Sequence, residues 1–344
     1  MLVLSDLVKS HDVFELGPIN LTVEDEVVSV LGPSGGGKTT LLSAIAGISD
    51  INAGTVVLND ADLTESPPEK RGIVLVFQDG ALFPHMTAWE NINYAATSPE
   101  RVDVLAETLE ITAILGQKAS TLSGGERQRV ALARSIAADP AALLLDEPLA
   151  NLDAPIRRRL RHELRDLLAS LDIPVVYVTH DQHEASIIGD RLAVIESGTI
   201  HQLGTPTEVF MRPKTPFVAS FTGSVNLFQA RVDETALVWG DRRIECPAHE
   251  YDVDQDVWFC IRPEYVTIAD DTTNTNVFLG RIERRVFQGD DYLVTVSPDG
   301  MDETVELKLA PLAYNQLQIE TREQMHISFE RDAIHIIENA PREQ

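Results

Sequence analysis

At 344 residues the chain is longer than one ordinary hydrophobic core organises, and 44% hydrophobic content is enough for two domains to fold. The net charge of -26, with only 6 Lys against 22 Arg, argues against a protein that grips nucleic acid by displacing counterions from phosphates. An acidic, lysine-poor surface suits a high-salt cytoplasm instead.

No apolar run reaches the roughly 18 residues of a membrane-spanning helix. The start, MLVLSDLVKSHD, lacks the basic and apolar regions of a signal peptide, so the chain is expected to be soluble and cytoplasmic. Cys246 and Cys260 are too few for a disulfide framework and lack metal-ligand spacing; buried, inert thiols are expected.

In chain order, five short apolar runs read as strands: VVSVL (27 to 31), IVLVF (73 to 77), ALLL (142 to 145), VVYVT (175 to 179) and RLAVI (191 to 195). They are continuous rather than alternating, and helical patterns separate most of them, which predicts a parallel sheet covered on both faces. After the first run comes GPSGGGKTT, comprising Gly32, Pro33, Ser34, Gly35, Gly36, Gly37, Lys38, Thr39 and Thr40. This matches the G-x-x-x-x-G-K-[ST] loop that opens a helix. Its backbone amides cradle phosphates at the helix N-terminus, Lys38 reaches the terminal phosphates, and Thr39 can ligate Mg²⁺. Because no [NT]-K-x-D guanine-reading motif occurs, the nucleotide is expected to be ATP.

The second run ends at Gln78 and the fourth at His180, residue types that strand ends also use structurally. The third ends at Asp146 and Glu147, the first placed to hold Mg²⁺ and the second to polarise an attacking water as general base. Four polar stations at the carboxyl ends of four strands converge on one site in an open α/β sheet. Between Gln78 and Asp146 stands LSGGERQR (122 to 129), where Ser123 and Glu126 have the spacing of a capping box. The run IRRRLRH (156 to 162) lies beside a helical stripe of Leu160, Leu164, Leu167, Leu168 and Leu171, and reads as a solvated helix face rather than a nucleic-acid site.

From about residue 226 the pattern changes to short alternating segments such as YLVTVS and TVELKLA, with turn-forming DG and GDD between them, as in a small β-barrel. This part is also the more acidic per residue, with 24 acidic and 11 basic side chains against 30 and 17 in residues 1 to 225.

Together GPSGGGKTT, VFQDGALFPHMT, LSGGERQR, LLLDEP, ANLD and VTHD resemble, in the same order, the ATP-binding subunits of ABC transporters. LFPHMTAWENI, and GTIHQLGTPTEVFMRPKTPFVASFTGSVN at 198 to 226, narrow the resemblance to importers of the maltose, ferric iron, polyamine and sulfate or molybdate type. FCIRPEYVTI and VFQGDDY resemble the OB-like accessory domain of these subunits.

The resemblance implies an α/β P-loop ABC ATPase over 1 to 225, with a helical subdomain at about 80 to 138, followed by an all-β OB-like domain over 226 to 344. It implies that Gln78 senses Mg²⁺ and the γ-phosphate, that His180 holds the γ-phosphate, and that Asp153 communicates across a dimer. Ser123, Gly124 and Gly125 would serve the ATP bound to a second copy of the chain. His11 or Phe14 would stack on adenine. The implied partners are a second copy, two membrane permease subunits and an extracytoplasmic solute-binding protein, with the chain on the cytoplasmic face of the membrane. The solute is open, with a lean to an inorganic ion over sugar, polyamine or thiamine. A soluble ABC ATPase of DNA or ribosome metabolism is the alternative. For the accessory domain, a structural dimerisation role without a ligand is preferred.

Overall fold

Runs of apolar residues without alternation are buried on both faces when they become strands, and the computed structural model places them so. The residues described are 1 to 11, 13 to 77, 81 to 150, 152 to 269 and 276 to 338. They form two compact units, Met1–Pro206 and Thr207–Gln344, a division that falls ahead of the composition change at 226.

In the first unit the elements run β1 (Leu2–His11), β2 (Phe14–Val23), β3 (Val27–Leu31), α1 (Lys38–Ile45), β4 (Ala53–Leu58), β5 (Ala61–Asp62), β6 (Ile73–Val76), α2 (Ala88–Asn93), α3 (Pro99–Thr108), α4 (Gly124–Ala137), β7 (Ala142–Asp146), α5 (Ala154–Ala169), β8 (Val175–Thr179), α6 (Gln182–Ile188), β9 (Arg191–Glu196) and β10 (Thr199–Gly204). The five runs singled out in the sequence are β3, β6, β7, β8 and β9. All belong to one six-stranded sheet of order β10-β9-β3-β8-β7-β6, in which only the β10 pairing is antiparallel.

Every residue of β3, β7 and β8 is buried. One face of the sheet packs Val28, Val30, Leu144 and Val178 against α1 and the N-terminal strands; the other packs Leu143, Leu145, Val175 and Tyr177 against α4 and α5. Parallel strands put their carboxyl ends on one edge, so Gly32, Glu147 and His180 leave the sheet side by side.

A second sheet, antiparallel and ordered β2-β1-β4-β5, was not expected from the sequence. The segment between β6 and β7 carries helices α2, α3 and α4, whose apolar sides share the core with β7.

In the second unit, α7 (Pro206–Met211) and α8 (Pro216–Phe221) precede β11 (Asn226–Asp233), β12 (Ala236–Trp239), β13 (Arg242–Glu245), β14 (Asp256–Ile261), β15 (Val266–Ile268), β16 (Val277–Phe287), β17 (Tyr292–Pro298), β18 (Val305–Leu309), α9 (Pro311–Gln316), β19 (Gln324–Phe329) and β20 (His335–Glu338). Two five-stranded antiparallel sheets, β13-β12-β11-β14-β20 and β15-β19-β16-β17-β18, enclose one core. Trp239 sits at its centre, 4.5 Å from Phe228 and within 6.0 Å of Phe259, Phe278 and Phe329 between ring centroids. The alternating segments YLVTVS and TVELKLA are the paired strands β17 and β18. Cys246 and Cys260 are buried free thiols, and burial pushes the Cys260 thiol up to about 11.

Candidate active site

Two glycines of the phosphate loop are required by close approach. A Cβ on Gly32 would fall 2.3 Å from the Ile195 carbonyl oxygen, and one on Gly37, whose φ is +102°, would fall 2.8 Å from the Phe14 ring. Gly37 is also the N-cap of α1. Buried Lys38 turns back over the loop, its Nζ donating to the carbonyls of Gly32 at 2.8 Å and Pro33 at 2.9 Å. Burial lowers the Lys38 pKa, opposed by the nearby charges of Glu147 and Asp146.

Thr39 donates its hydroxyl to Asp146 Oδ2 at 2.9 Å, joining the loop to the end of β7. Burial is also the largest influence on Asp146 and raises its pKa. Thr39 and Asp146 together offer hard oxygen donors of the kind Mg²⁺ prefers.

Glu147 has φ +48°. A non-glycine residue in the left-handed region costs about 1–2 kcal/mol, so its surroundings must hold it there. Its N–H donates to Val178 O at 3.0 Å, its carbonyl accepts from Ala150 N at 3.1 Å and Gln128 Nε2 at 2.9 Å, and its Oε1 lies 2.8 Å from His180 Nδ1. The His180 side chain is 58% exposed and that of Glu147 18%, so the pair stands at the rim of the site with the imidazole outward.

Behind His180 lies a buried polar cluster. Glu184 Oε2 accepts from Tyr177 at 3.1 Å and Thr179 at 3.0 Å, while Arg161 donates to Asp181 at 2.6 Å and stands 3.7 Å from Glu184 Oε1. The residues on either side of His180 are thereby fixed. Burial is the main reason that the Glu184 pKa is raised.

Ser123 caps α4 through a complete capping box. Its Oγ accepts from Glu126 N at 3.3 Å, and Glu126 Oε2 accepts from Ser123 N and Oγ, both at 2.7 Å. Ser123 and Gly124 are exposed, and the space around Gly124 is open. Asp153 is the exposed N-cap of α5 and makes no side-chain cap there. Phe14 abuts the phosphate loop, whereas His11 is exposed at the end of β1.

Lys38, Thr39, Asp146, Glu147 and His180 are thus linked or adjacent at one sheet edge. Gln78 lies outside the described residues, as does Asn151 of ANLD. The sequence reading missed Gln128, Tyr177, Glu184 and Arg161. Gln128 was visible inside LSGGERQR, and Glu184 four residues after His180, but neither has a spacing that announces what it touches. Arg158, Arg159 and His162 are exposed as a solvated face should be, yet Arg161 turns inward to its carboxylates and Arg157 donates to the Leu152 carbonyl.

Residues 16 to 150 match the family described as ABC transporter, and residues 259 to 337 match the TOBE domain. The chain is 36% identical to the sulfate/thiosulfate import ATP-binding protein CysA of Bacillus cereus, over 93% of each chain. The chain belongs to the ABC transporter family. It is an importer-type ATPase subunit that binds and hydrolyses ATP and carries a C-terminal OB-like TOBE domain. It is also 39% identical to the sn-glycerol-3-phosphate import ATP-binding protein UgpC 2 of Rhizobium johnstonii, over 96% of this chain and 95% of the relative. The spermidine/putrescine import ATP-binding protein PotA of Marinobacter nauticus matches at 39%, over 84% and 82%. Among solved structures, the ATP-binding cassette MJ0796, a dimer in a post-hydrolysis state with ADP and Pi, matches with a TM-score of 0.55 and 28% identity, covering 60% of this chain and 99% of that one.

Proposed function

We propose that two copies of the chain sandwich two ATP molecules and drive solute uptake through two permease subunits on the cytoplasmic face of the membrane. The observation that carries this reading is the linked set Lys38, Thr39, Asp146, Glu147 and His180 at one sheet edge. The loop from Gly32 to Thr40 and the Lys38 ammonium hold the phosphates, and Phe14, beside Gly37, stacks on adenine. Ser123, Gly124 and Gly125 of one copy meet the nucleotide of the other; a capped helix N-terminus is an anion site as well as a cap.

Thr39 and Asp146, with Gln78, would hold Mg²⁺, which when bound neutralises charge on the β- and γ-phosphates. Glu147 takes a proton from the water that attacks the γ-phosphorus as the bond to the ADP oxygen breaks. His180 orients that carboxylate and donates to the γ-phosphate. Asp153 relays between the copies at the N-terminus of α5.

The permease contact falls on an exposed cleft lined by His85, Met86, Trp89, Glu90, Asn93 and Tyr94, since exposed aromatic surface of this kind marks a protein interface. A solute-binding protein supplies the solute from outside. An inorganic oxyanion such as sulfate is the preferred solute, because the Bacillus cereus relative is named for it. Residues from about 226 onward serve as the accessory domain.

The test is reconstitution in lipid vesicles with the permeases and binding protein encoded beside this chain. Sulfate-loaded binding protein should stimulate Mg²⁺-dependent ATP hydrolysis and drive uptake of labelled sulfate. Hydrolysis indifferent to the permeases would refute the importer reading, and stimulation only by another solute would correct the solute.

A further inference from the structure

Gln128 is the residue through which the capped end of α4 reaches the general base. It is 2% exposed, and its Nε2 donates at 2.9 Å to the backbone carbonyl of Glu147, the residue that the chain holds at φ +48°. It stands five residues after Ser123 on the same helix, little more than one turn away, so the two move as one rigid piece. The Glu147 N–H reaches Val178 O on the neighbouring strand β8, and Ala150 N closes the turn that follows β7 onto Glu147 O. Among the described residues, the Gln128 bond reaches the Glu147 backbone from the helical segment.

We infer that Gln128 is a positioning residue that ties Glu147 to α4, so that the general base of one nucleotide site is set in place when Ser123 of the same chain has seated on the nucleotide held by its partner. The inference rests on the shared-site reading of Ser123 and on Glu147 as general base. Water attacks the γ-phosphorus in line with the departing ADP oxygen, and its proton passes to a Glu147 carboxylate whose placement depends on this backbone. A displacement of Glu147 by about 1 Å costs on the order of 100-fold in rate. Coupling of this kind makes hydrolysis cooperative in ATP, because an α4 end without nucleotide leaves the base of its own chain out of register.

Two full-chain variants test it. Gln128→Glu keeps the side-chain shape but turns an acceptor toward the Glu147 carbonyl; Gln128→Met keeps the length and removes the donor. In both, kcat should fall about 10- to 100-fold while the KM for ATP stays within about twofold, and the Hill coefficient should drop from above one toward one. Combined with Glu147→Gln, either variant should still form the ATP-dependent dimer, a readout that damage to the helix end would abolish.

Unchanged kcat in Gln128→Glu, a parent enzyme without cooperativity, variants that keep the parent Hill coefficient, or failure of both variants to fold would each overturn the inference. Loss of the dimer would do so as well, by making Gln128 a support for α4 and nothing more. Parent-level hydrolysis by Glu147→Gln would instead remove the general-base reading. Normal Gln128 variants beside an inactive Glu147→Gln would remove only the coupling.

Discussion

Glu147 and His180 stand just beyond the ends of neighbouring strands, β7 and β8, 33 residues apart in the chain, and their side chains meet at 2.8 Å between Oε1 and Nδ1. A His180 imidazolium donates Nδ1–H to this carboxylate, which fixes its orientation, and Nε2–H to a phosphate oxygen; a neutral ring has one N–H and can serve only one of the two. His180→Ala should therefore lower kcat by about 100-fold with ATP still bound, since it removes an orienting donor and leaves the loop intact. Equilibrium nucleotide binding measured beside turnover checks this, and unimpaired turnover would leave His180 a bystander.

Lys38→Ala should abolish ATP hydrolysis, a loss of at least about 100-fold, with the fold retained. The ammonium is buried against its own loop carbonyls, and those are backbone atoms that a smaller side chain leaves in place. Circular dichroism should match the parent, and normal turnover by the variant would sink the assignment of the phosphate site.

The central sheet was legible because strands buried on both faces show continuous, β-branched apolar runs broken by little more than a Ser or Thr, as VVSVL and VVYVT do. The outer sheet was not. In β1 the register slips between Leu4 and Leu7 and again between Leu7 and Lys9, so its buried residues lose the period of two that identifies a half-buried strand. Arg161 was hidden for a different reason. An arginine facing solvent and one facing Asp181 and Glu184 look alike until the fold brings β8 and α6 beside α5. The left-handed backbone of Glu147 has no sequence signal at all, because nothing in LLLDEP announces that a non-glycine residue takes that turn.

Asp146 gives a prediction in pH. Burial raises its folded-state pKa above that of the unfolded chain, with the attraction of Lys38 the smallest of the opposing influences. A raised carboxyl pKa means that the ionised form destabilises the nucleotide-free fold. The penalty is absent below the unfolded pKa and grows as pH rises through the folded one. Asp146→Asn keeps an acceptor for the Thr39 hydroxyl, so without nucleotide it should melt above the parent at neutral pH. The gap should close on acidification below the ordinary aspartate range, while Mg²⁺-dependent hydrolysis is lost. A variant that melts lower at neutral pH would contradict the burial argument.

Salt should stabilise the chain. With 54 acidic side chains against 28 basic ones, like-charge repulsion opposes compaction, and at 1 M salt the Debye length falls to about 3 Å. Melting temperature measured from dilute buffer to about 1 M salt should rise; a flat or falling curve would dismiss adaptation to high salt.

The shared site is tested by separating binding from chemistry. Glu147→Gln keeps the shape of the side chain and removes the carboxylate proposed to take the water's proton, so ATP should bind without being consumed and the closed dimer should accumulate. On the proposed shared site, each ATP would be gripped by Lys38 of one copy and the Ser123 end of the other, so nucleotide binding and association should be linked and ATP should strengthen the dimer. Ser123→Arg, added to the same chain, places a long side chain on the exposed helix end proposed to meet the partner's phosphate and leaves the Gly32 to Thr40 loop untouched. The double variant should bind nucleotide weakly and stay monomeric with ATP by light scattering. Because the C-terminal unit could hold copies together without ATP, the comparison is between samples with and without nucleotide rather than in absolute mass. If Glu147→Gln shows no ATP-dependent increase in mass, or if Ser123→Arg leaves that increase unchanged, the LSGGERQR segment does no more than cap α4.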